Sequence, residues 1–489
     1  MVCKEVFFNH SAWLRITFKK ERMFLWAAMN PLVNPVFLSK LIHSYLFDVN
    51  RVYRSTPEQL QRYQDKHFCQ VVRYAYTVPL YHEKYKQAGI HPHDITGTKD
   101  AEKLPYVTKQ DFRGKTADTL LPAGKNPSKY AVVSTSGSTG KPVTLYSDPY
   151  TIFHTFIGFI RSIREHDVNW RKTRMALIAD LTPDSAEEAY FRRTAMPSLK
   201  SVFSLKNQQV FHVGDPAEKL LQDLEQFQPE FIGGYPGVLK ILAILKKQGK
   251  APKLLPRVIA TSGAILDEYT RQYIKTAFSA DLFDAYGATE CSPMAFECKH
   301  GHYHVNSDFV FMELIDPKEK ETISGDGGNI VVTRLFGRGT PVVRYTGISD
   351  LVIPSDETSE SCGIHTQILE GIGGRQVDAI VLPSGEMIPP SAFTGIPHHV
   401  MHTYKTEKIQ QFQIIQQNRT DIEILLVIDE TLRDEGPSVE TLVDEIKKMY
   451  NQKLGKEMNI TIREVKKITH MREGSATPPP VVISKVHME

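Results

Sequence analysis

The chain has 489 residues, which at about 150 residues per domain suggests two or three domains and excludes a small peptide module. Hydrophobic residues make up 41% and charged residues 24%, which excludes a disordered or fibrous chain. The formal net charge is only +3, so charge alone indicates no nucleic-acid partner. The composition is that of a globular protein.

The five cysteines are odd in number and widely separated, which favours reduced thiols in the cytoplasm over a secreted disulfide framework. An apolar stretch over residues 23–42 is interrupted by prolines and asparagines, so it predicts neither a membrane span nor a signal peptide. We expect residues 1–55 to form a packed N-terminal extension. The basic and aromatic residues at 19–26 are also compatible with contact to an anionic membrane surface.

The hydrophobic pattern divides the rest of the chain into two parts. From residue 56 a helical period begins, and between residues 175 and 286 strand-like apolar runs alternate with amphipathic helices. This alternation predicts a large layered α/β domain over residues 56–374. Shorter strands and one amphipathic helix follow, which predicts a small α+β domain over residues 375–489.

A glycine- and hydroxyl-rich loop follows the apolar run 131–133 and reads Ser-Thr-Ser-Gly-Ser-Thr-Gly-Lys-Pro over residues 134–142. Backbone N–H groups, hydroxyls and the Lys141 charge suit an anion such as phosphate. The loop is not a Walker motif, because Pro142 stands where that motif requires Ser or Thr. Taken alone, the loop is equally compatible with a flexible surface turn.

A second motif, Tyr-Gly-Ala-Thr-Glu over residues 286–290, gives the loop a context. Together the two resemble the most characteristic motifs of the adenylate-forming superfamily of ATP-dependent carboxylate ligases, and the chain is similar to its phenylacetate-CoA ligase and capsule-synthesis branch. The resemblance implies an α/β fold in which a hinge joins the large and small domains. Further matching segments, in the family's order, are residues 74–81, 104–109, 233–236, 261–263, 344–350 and 374–378.

The resemblance implies an AMP-forming acid–thiol ligase. Such an enzyme lets a carboxylate attack the α-phosphorus of ATP, releases pyrophosphate, and passes the acyl group of the adenylate to coenzyme A. Two anions meet in the first step, so the reaction requires fixed donors, Mg2+ and a cationic side chain. ATP, Mg2+ and coenzyme A are therefore the expected substrates and cofactors.

The resemblance also implies which residues bind the nucleotide. The glycine-rich loop would hold the pyrophosphate end of ATP, while an acceptor and a donor would bind the ribose diol. The nucleotide-binding residues are Ser136, Gly137, Ser138, Thr139, Gly140, Lys141, Ser262, Gly263, Ala264, Tyr286, Gly287, Asp350 and Arg375.

Catalytic, substrate and hinge roles follow from the same resemblance. Thr289 would hydrogen-bond the α-phosphate, Glu290 would coordinate Mg2+, and Lys141 would supply positive charge. The residues expected to border the acid are Tyr235 and Pro236, and the expected hinge, about which the small domain rotates, is Asp378.

Two departures from the family pattern leave alternatives open. Relatives carry a lysine near the C-terminus that reaches the reacting carboxylate, whereas residues 472–482 contain none. The run 344–350 has one extra residue and places Ser349 where glycine is usual. The alternatives to the coenzyme A ligase are therefore a ligase whose acceptor is an amine, a hydroxyl or a carrier-protein thiol, and a nucleotide- or acyl-binding homologue that lacks adenylation.

Some relatives in this branch bind a structural zinc, and Cys298, His304, Glu360 and Cys362 match the corresponding positions here. Further candidates are His300, His302 and His365. The alternative is that these cysteines only pack as small hydrophobic residues. His398, His399 and His402 match no ligand pattern and are interpreted as part of a solvated loop. The branch further suggests a homodimer.

Overall fold

The computed structural model describes residues 34–134, 143–182, 185–188, 191, 205–291, 293–315, 328–348, 350–355, 362–375, 379–385, 387–388, 390–455, 457–468 and 480–486. Several helices begin at residues that satisfy the free N–H groups of the first turn. The Asn34 side chain accepts from that turn of the first helix, and Thr56 forms a capping box with Gln59.

The α-helices are α1 (Pro35–Phe47), α2 (Arg51–Arg54), α3 (Pro57–Ala75), α4 (Pro79–Gln87), α5 (Lys109–Phe112), α6 (Ala117–Leu120), α7 (Pro149–Glu165), α8 (Ala186–Glu188), α9 (Ala217–Phe227), α10 (Pro236–Lys247), α11 (Glu268–Phe278), α12 (Ile396–Thr403) and α13 (Val439–Leu454). Short 3-10 helices span Asp48–Asn50, Pro92–Asp94, Thr98–Lys103, Pro127–Lys129 and Pro390–Ala392.

The strands are β1 (Ala131–Ser134), β2 (Thr144–Ser147), β3 (Met175–Ala179), β4 (Gln208–His212), β5 (Phe231–Gly234), β6 (Val258–Ser262), β7 (Asp281–Tyr286), β8 (Ala295–Glu297), β9 (Tyr303–Val305), β10 (Val310–Ile315), β11 (Gly328–Arg334), β12 (Asp350–Pro354), β13 (Ile368–Arg375), β14 (Ile380–Val381), β15 (Met387–Ile388), β16 (Ile409–Gln416), β17 (Asp421–Ile428), β18 (Asn459–Glu464) and β19 (Val482–Ser484).

Eleven strands form the central sheet of the large domain, in the order β10-β11-β12-β13-β9-β8-β7-β6-β5-β3-β4. The strands from β7 to β4 are parallel, and the others extend the sheet in antiparallel pairs. The inner parallel strands β3, β5 and β6 are almost wholly buried, as expected when helices cover both faces. Helices α9, α10 and α11 pack on one face, and a larger core that includes α3 and α7 lies on the other. The predicted α/β class is confirmed.

The small domain has its own sheet and its own core. Its four strands lie in the order β18-β17-β16-β19, with β16 and β17 antiparallel and each outer strand parallel to its neighbour. Helices α12 and α13 pack against this sheet around buried Ile, Leu and Phe side chains. The predicted small C-terminal domain is confirmed, whereas the exact boundaries and the hinge remain predictions.

Interpreting His398 as part of a solvated loop is wrong. The residue lies on α12 and is 2% exposed, with its Nε2 atom 2.7 Å from the Nζ atom of Lys240 on α10. Its Nδ1 atom lies 3.2 Å from Asp267 Oδ1, and its ring stacks on Tyr269. Burial lowers the pKa of His398 to about 4 and that of Lys240 to about 8. A buried polar cluster therefore joins the two domains.

Among the described residues, no helix is both long and apolar enough to cross a membrane. Helix α1 packs on α7, where the rings of Phe37 and Phe153 meet edge to face at 5.6 Å. The part of the N-terminal extension that is described therefore contacts the large domain.

Candidate functional site

The carboxyl ends of β5, β6 and β7 lie side by side at one edge of the large sheet, because these strands are parallel neighbours. Tyr235 and Pro236 follow β5, Ser262 ends β6, and Tyr286 ends β7. Ligands of open α/β sheets bind outside the carboxyl ends of the strands. Segments predicted to contact the acid, the adenine and the α-phosphate therefore meet at one edge.

The loops at this edge are open to solvent, while the acidic residue behind them is buried. Glu290 is only 5% exposed. The exposed residues are Ser262, Gly263, Ala264, Gly287 and Thr289. The Thr289 hydroxyl is thus available to a ligand, as a hydrogen-bond donor to phosphate must be.

Gly263 lets the adenine-side loop approach a neighbouring ring. Its φ of +80° belongs to the left-handed region, which residues other than glycine rarely adopt. An ideal Cβ atom at this position would lie 2.9 Å from Cε1 of Tyr235, closer than real Cβ contacts. A glycine is therefore required where the loops after β5 and β6 meet.

Two tyrosine–carboxylate hydrogen bonds join the segments 286–290 and 345–350. The Tyr286 hydroxyl donates to Asp350 Oδ2 at 2.8 Å, and the Tyr345 hydroxyl donates to Glu290 Oε1 at 3.0 Å. Each segment thus supplies one tyrosine and one carboxylate. Asp350 is thereby bonded to the distant motif that contains Tyr286 and Glu290, and Tyr345 joins them although the sequence assigned it no role.

Arg334 holds the backbone of Glu290 in place. Its guanidinium donates to the Glu290 carbonyl oxygen at 3.0 Å and to the Thr340 carbonyl oxygen at 2.7 Å. Arg334 is 4% exposed, and burial lowers its pKa. Sequence reasoning missed Arg334, which ends strand β11 and carries no motif.

A buried polar network lies beneath the nucleotide loops. Asp284 accepts hydrogen bonds from Thr261 at 2.5 Å and from Tyr303 at 2.9 Å, and burial raises the pKa of Asp284 to about 6. Its N–H donates to Glu297, which also accepts two bonds from Arg271. Because Thr261 and Asp284 lie just before the ends of β6 and β7, the network holds those ends in place.

The expected acid-binding side contains a carboxylate that sequence reasoning missed. The Tyr235 hydroxyl donates to Glu187 Oε1 at 2.7 Å, and the Asp180 N–H donates to Glu187 Oε2. Burial raises the pKa of Glu187. The residues follow β5 and β3, between which the strand order of the parallel region reverses, a usual place for a binding crevice.

The two residues predicted to bind the ribose hydroxyls are Asp350 and Arg375. Asp350 on β12 lies directly opposite Arg375 on β13 in the antiparallel register, which places the two predicted ribose residues side by side in the backbone. Predicted residues that lie outside the described part of the chain are Ser136, Gly137, Ser138, Thr139, Gly140, Lys141, Glu360 and Asp378.

A Cys/His cluster lies on the hairpin of β8 and β9. Cys298, His302, His304 and Cys362 each offer a ligand atom, and these atoms all lie within 4.8 Å of one another. The hairpin turns at Gly301, where φ is +86°, so that the Cys298 N–H donates to the His302 carbonyl. The structure thus brings three of the four predicted ligands together and adds His302.

The cluster has the donor set and spacing of a zinc site. The Cys298 and Cys362 sulfurs are 3.6 Å apart, near the roughly 3.8 Å edge of a tetrahedron with Zn–S bonds of about 2.3 Å. His304 Nδ1 lies 3.3 Å from the Thr366 hydroxyl, while its Nε2 is buried without a hydrogen-bond partner. Second-shell hydrogen bonds commonly leave one imidazole nitrogen for a metal in this way.

Comparison with known proteins finds sequences that are similar to this chain. Residues 392–477 match the family described as the CapK C-terminal domain. The chain is 24% identical to protein CapK of Staphylococcus aureus over 54% of this chain and 57% of CapK. It is 24% identical to phenylacetate-coenzyme A ligase of Escherichia coli K12 over 68% of this chain and 75% of that enzyme.

The fold is shared with solved ligase structures. A 2-hydroxyisobutyryl-CoA ligase described as being in the postadenylation state has a TM-score of 0.73 at 18% identity, covering 89% of this chain and 91% of that chain. The same ligase in the thioesterification state has a TM-score of 0.57 at 18% identity, covering 89% of this chain and 92% of that chain. The chain is similar in sequence to CapK and to phenylacetate-coenzyme A ligases, and its fold is that of the solved 2-hydroxyisobutyryl-CoA ligase.

Proposed function

We propose that the protein is an AMP-forming ligase that activates a carboxylic acid as its acyl-adenylate and transfers the acyl group to coenzyme A. The observation that carries the proposal is the convergence of Tyr286, Thr289, Glu290 and Asp350 at the carboxyl edge of the parallel strands. The likeness to phenylacetate-coenzyme A ligases supports the same reaction class.

The nucleotide would bind across the ends of β6 and β7. The exposed loop that contains Gly263 permits close backbone approach to adenine, and Tyr286 offers a flat ring. Asp350 supplies a carboxylate acceptor for a ribose hydroxyl, and its bond from Tyr286 fixes its orientation. We expect these residues to determine affinity for the nucleoside part of ATP.

The reacting centre would lie at residues 289–290. The exposed hydroxyl of Thr289 donates to an α-phosphate oxygen, and the Glu290 carboxylate is a suitable oxygen ligand for Mg2+. When bound, Mg2+ offsets the repulsion between carboxylate and phosphate and the charge that develops on pyrophosphate. Arg334 holds the backbone of Glu290, so the residue is in place before substrates bind.

Two bonds change in each half-reaction. A carboxylate oxygen first attacks the α-phosphorus, and the bond to pyrophosphate breaks. The coenzyme A sulfur then attacks the acyl carbon, loses its proton, and displaces AMP together with the former carboxylate oxygen. Since residues 472–482 contain no lysine where relatives use one for the first step, we expect adenylation to be the slower half-reaction.

The arrangement of the two domains supports a role in adenylation. The chain matches the postadenylation structure of 2-hydroxyisobutyryl-CoA ligase with a TM-score of 0.73 and the thioesterification structure of the same enzyme with only 0.57. We propose that the cluster of Lys240, Asp267 and His398 belongs to the adenylating arrangement. Rotation about a hinge at Asp378 would separate it.

The Cys/His cluster defined by Cys298, His302, His304 and Cys362 is proposed as a structural zinc site. Four protein ligands and the absence of an acidic ligand within the described cluster favour a closed structural site over a catalytic one. Zinc there would tie the β8–β9 hairpin to the segment that contains Cys362. The homodimer and the cytoplasmic location stay predictions, and light scattering of the purified protein tests the former.

Pyrophosphate release by the purified protein tests the proposed function. The assay supplies MgATP and a panel of aryl and aliphatic acids, with and without coenzyme A, and quantifies AMP and thioester. Acid-dependent pyrophosphate, with AMP and thioester formed only when coenzyme A is present, is the expected result. Adenylate formed without any thioester would favour another acceptor. No release from any acid, although ATP binds, would favour a homologue that lacks adenylation.

A further inference from the structure

The side chain of Glu290 has a partner of its own from a distant part of the sheet. We propose that Tyr345 is a positioning residue that orients the Glu290 carboxylate for a divalent cation, an inference that rests on the proposed function. The Tyr345 hydroxyl lies 3.0 Å from Glu290 Oε1, and the two residues are 55 positions apart in the chain. The bond is therefore made by the tertiary fold and not by the local 286–290 loop.

The tyrosine is held in place on several sides. Its side chain is fully buried, and its ring packs against Phe112 at a centroid distance of 5.4 Å. Its backbone N–H and carbonyl both bond to Val332 at 3.0 Å. An ideal Cβ atom at Gly347 would lie 2.1 Å from the Tyr345 hydroxyl, so the chain passes directly over the ring.

The hydroxyl acts as a neutral donor to a charged acceptor. A phenol keeps its proton at neutral pH, so the Tyr345 hydroxyl donates to the Glu290 carboxylate at 3.0 Å. Within the described part of the chain, no other side chain donates to the Glu290 carboxylate. One oxygen is thus taken by Tyr345, and the other is left for a cation.

A purely structural role makes a different prediction from a positioning role. Tyr81 provides the comparison, because it is also fully buried and its hydroxyl donates to the Pro341 carbonyl at 2.9 Å in the same core. Tyr81 has no described contact with Glu290. If buried hydroxyls matter only for packing, Y81F and Y345F should affect metal binding alike.

The test measures cation affinity directly. Mn2+ is titrated by electron paramagnetic resonance into the full-length protein with α,β-methylene-ATP, for wild type, Y345F, Y81F and E290Q. Y345F should weaken Mn2+ binding about tenfold, the low end for loss of an outer-shell partner, while Y81F binds as wild type. Affinity for the nucleotide in EDTA should change less than about twofold in Y345F, because Tyr345 is fully buried and its hydroxyl bonds to Glu290.

A double variant gives the second measurement. If Tyr345 acts through Glu290, Y345F should add nothing to the loss already seen in E290Q. Should Y345F fail to fold, F112L keeps the core apolar but removes the ring that packs against Tyr345, and it should also weaken Mn2+ binding. Wild-type affinity in Y345F, with reduced affinity in E290Q, would overturn the positioning role alone. Unchanged Mn2+ binding in E290Q would overturn the proposed role of Glu290, and the role of Tyr345 with it.

Discussion

Replacement of Gly347 by alanine tests how tightly the segment 345–350 wraps the Tyr345 ring. An ideal Cβ atom at this position would lie 2.1 Å from both Cζ and the hydroxyl of Tyr345, whereas carbon atoms normally approach to about 3.5 Å. Either the Tyr345 ring or the backbone at Gly347 must therefore move by more than about 1 Å. The ring is backed by Phe112 and the backbone is paired with Val332, so neither can move freely.

The destabilisation that we expect of G347A follows from these contacts. Overpacking a core by one methyl group costs about 1–3 kcal/mol, and loss of the hydrogen bond to a charged acceptor adds about 1.5–3 kcal/mol. We therefore expect G347A to lower the free energy of unfolding of the large domain by roughly 2.5–6 kcal/mol. Urea denaturation followed by tryptophan fluorescence measures the change.

Gly371 supplies the matched control. It lies on β13 of the same sheet, and no atom lies within 4 Å of its ideal Cβ position. G371A should therefore cost less than about 1 kcal/mol. If G347A is as stable as wild type, or if G371A is destabilised equally, then close packing of Gly347 on the Tyr345 ring does not determine stability.

Three further predictions concern the metal, the nucleotide and the domain interface. Elemental mass spectrometry of the purified protein should find one zinc per chain in wild type and none in C298S or C362S. The control C69S, whose thiol lies outside the cluster, should keep its zinc, and a zinc-free wild type would contradict the site. D350N should weaken ATP binding about tenfold through loss of a charged acceptor, and D281N, at the opposite end of β7, should not; calorimetry distinguishes them. Burial lowers the pKa of His398 to about 4, whereas in the separated domains it would regain its ordinary value of about 6.5. As pH falls, His398 is therefore protonated first in the separated domains, and the closed arrangement should lose about 3 kcal/mol of stability between pH 6.5 and pH 4. Fluorescence energy transfer between labelled domains should show opening over that range, less in H398Q than in wild type or in H399Q, which alters an exposed neighbour.

The site residues are predicted from the resemblance to the adenylate-forming ligases, and the strand order explains why several of them lie together. Ser262 and Tyr286 come directly at strand ends, and neighbouring parallel strands bring their carboxyl ends to one edge. The partnership of Tyr345 with Glu290 could not be predicted. It depends on the antiparallel extension of the sheet, which pairs Val332 with Tyr345, and no sequence period encodes that register.

The errors also have physical causes. His398, His399 and His402 match no ligand pattern, which favours a solvated loop, yet Pro397 stands in the first turn of α12, where proline favours a helix start. In the metal cluster, the family pattern names four ligand positions, and His302 is not one of them. The turn at Gly301 places His302 beside Cys362, where its Nδ1 lies 3.1 Å from the sulfur.

Transfer of a labelled oxygen is the most direct test of the central claim, that the acid is activated as an adenylate. A substrate acid found in the pyrophosphate assay is prepared with oxygen-18 in both carboxyl oxygens and turned over with MgATP and coenzyme A. AMP should carry one oxygen-18, because the carboxylate oxygen that attacks phosphorus stays with AMP when the thiol displaces it. Unlabelled AMP, or ADP together with labelled inorganic phosphate, would show that no acyl-adenylate forms.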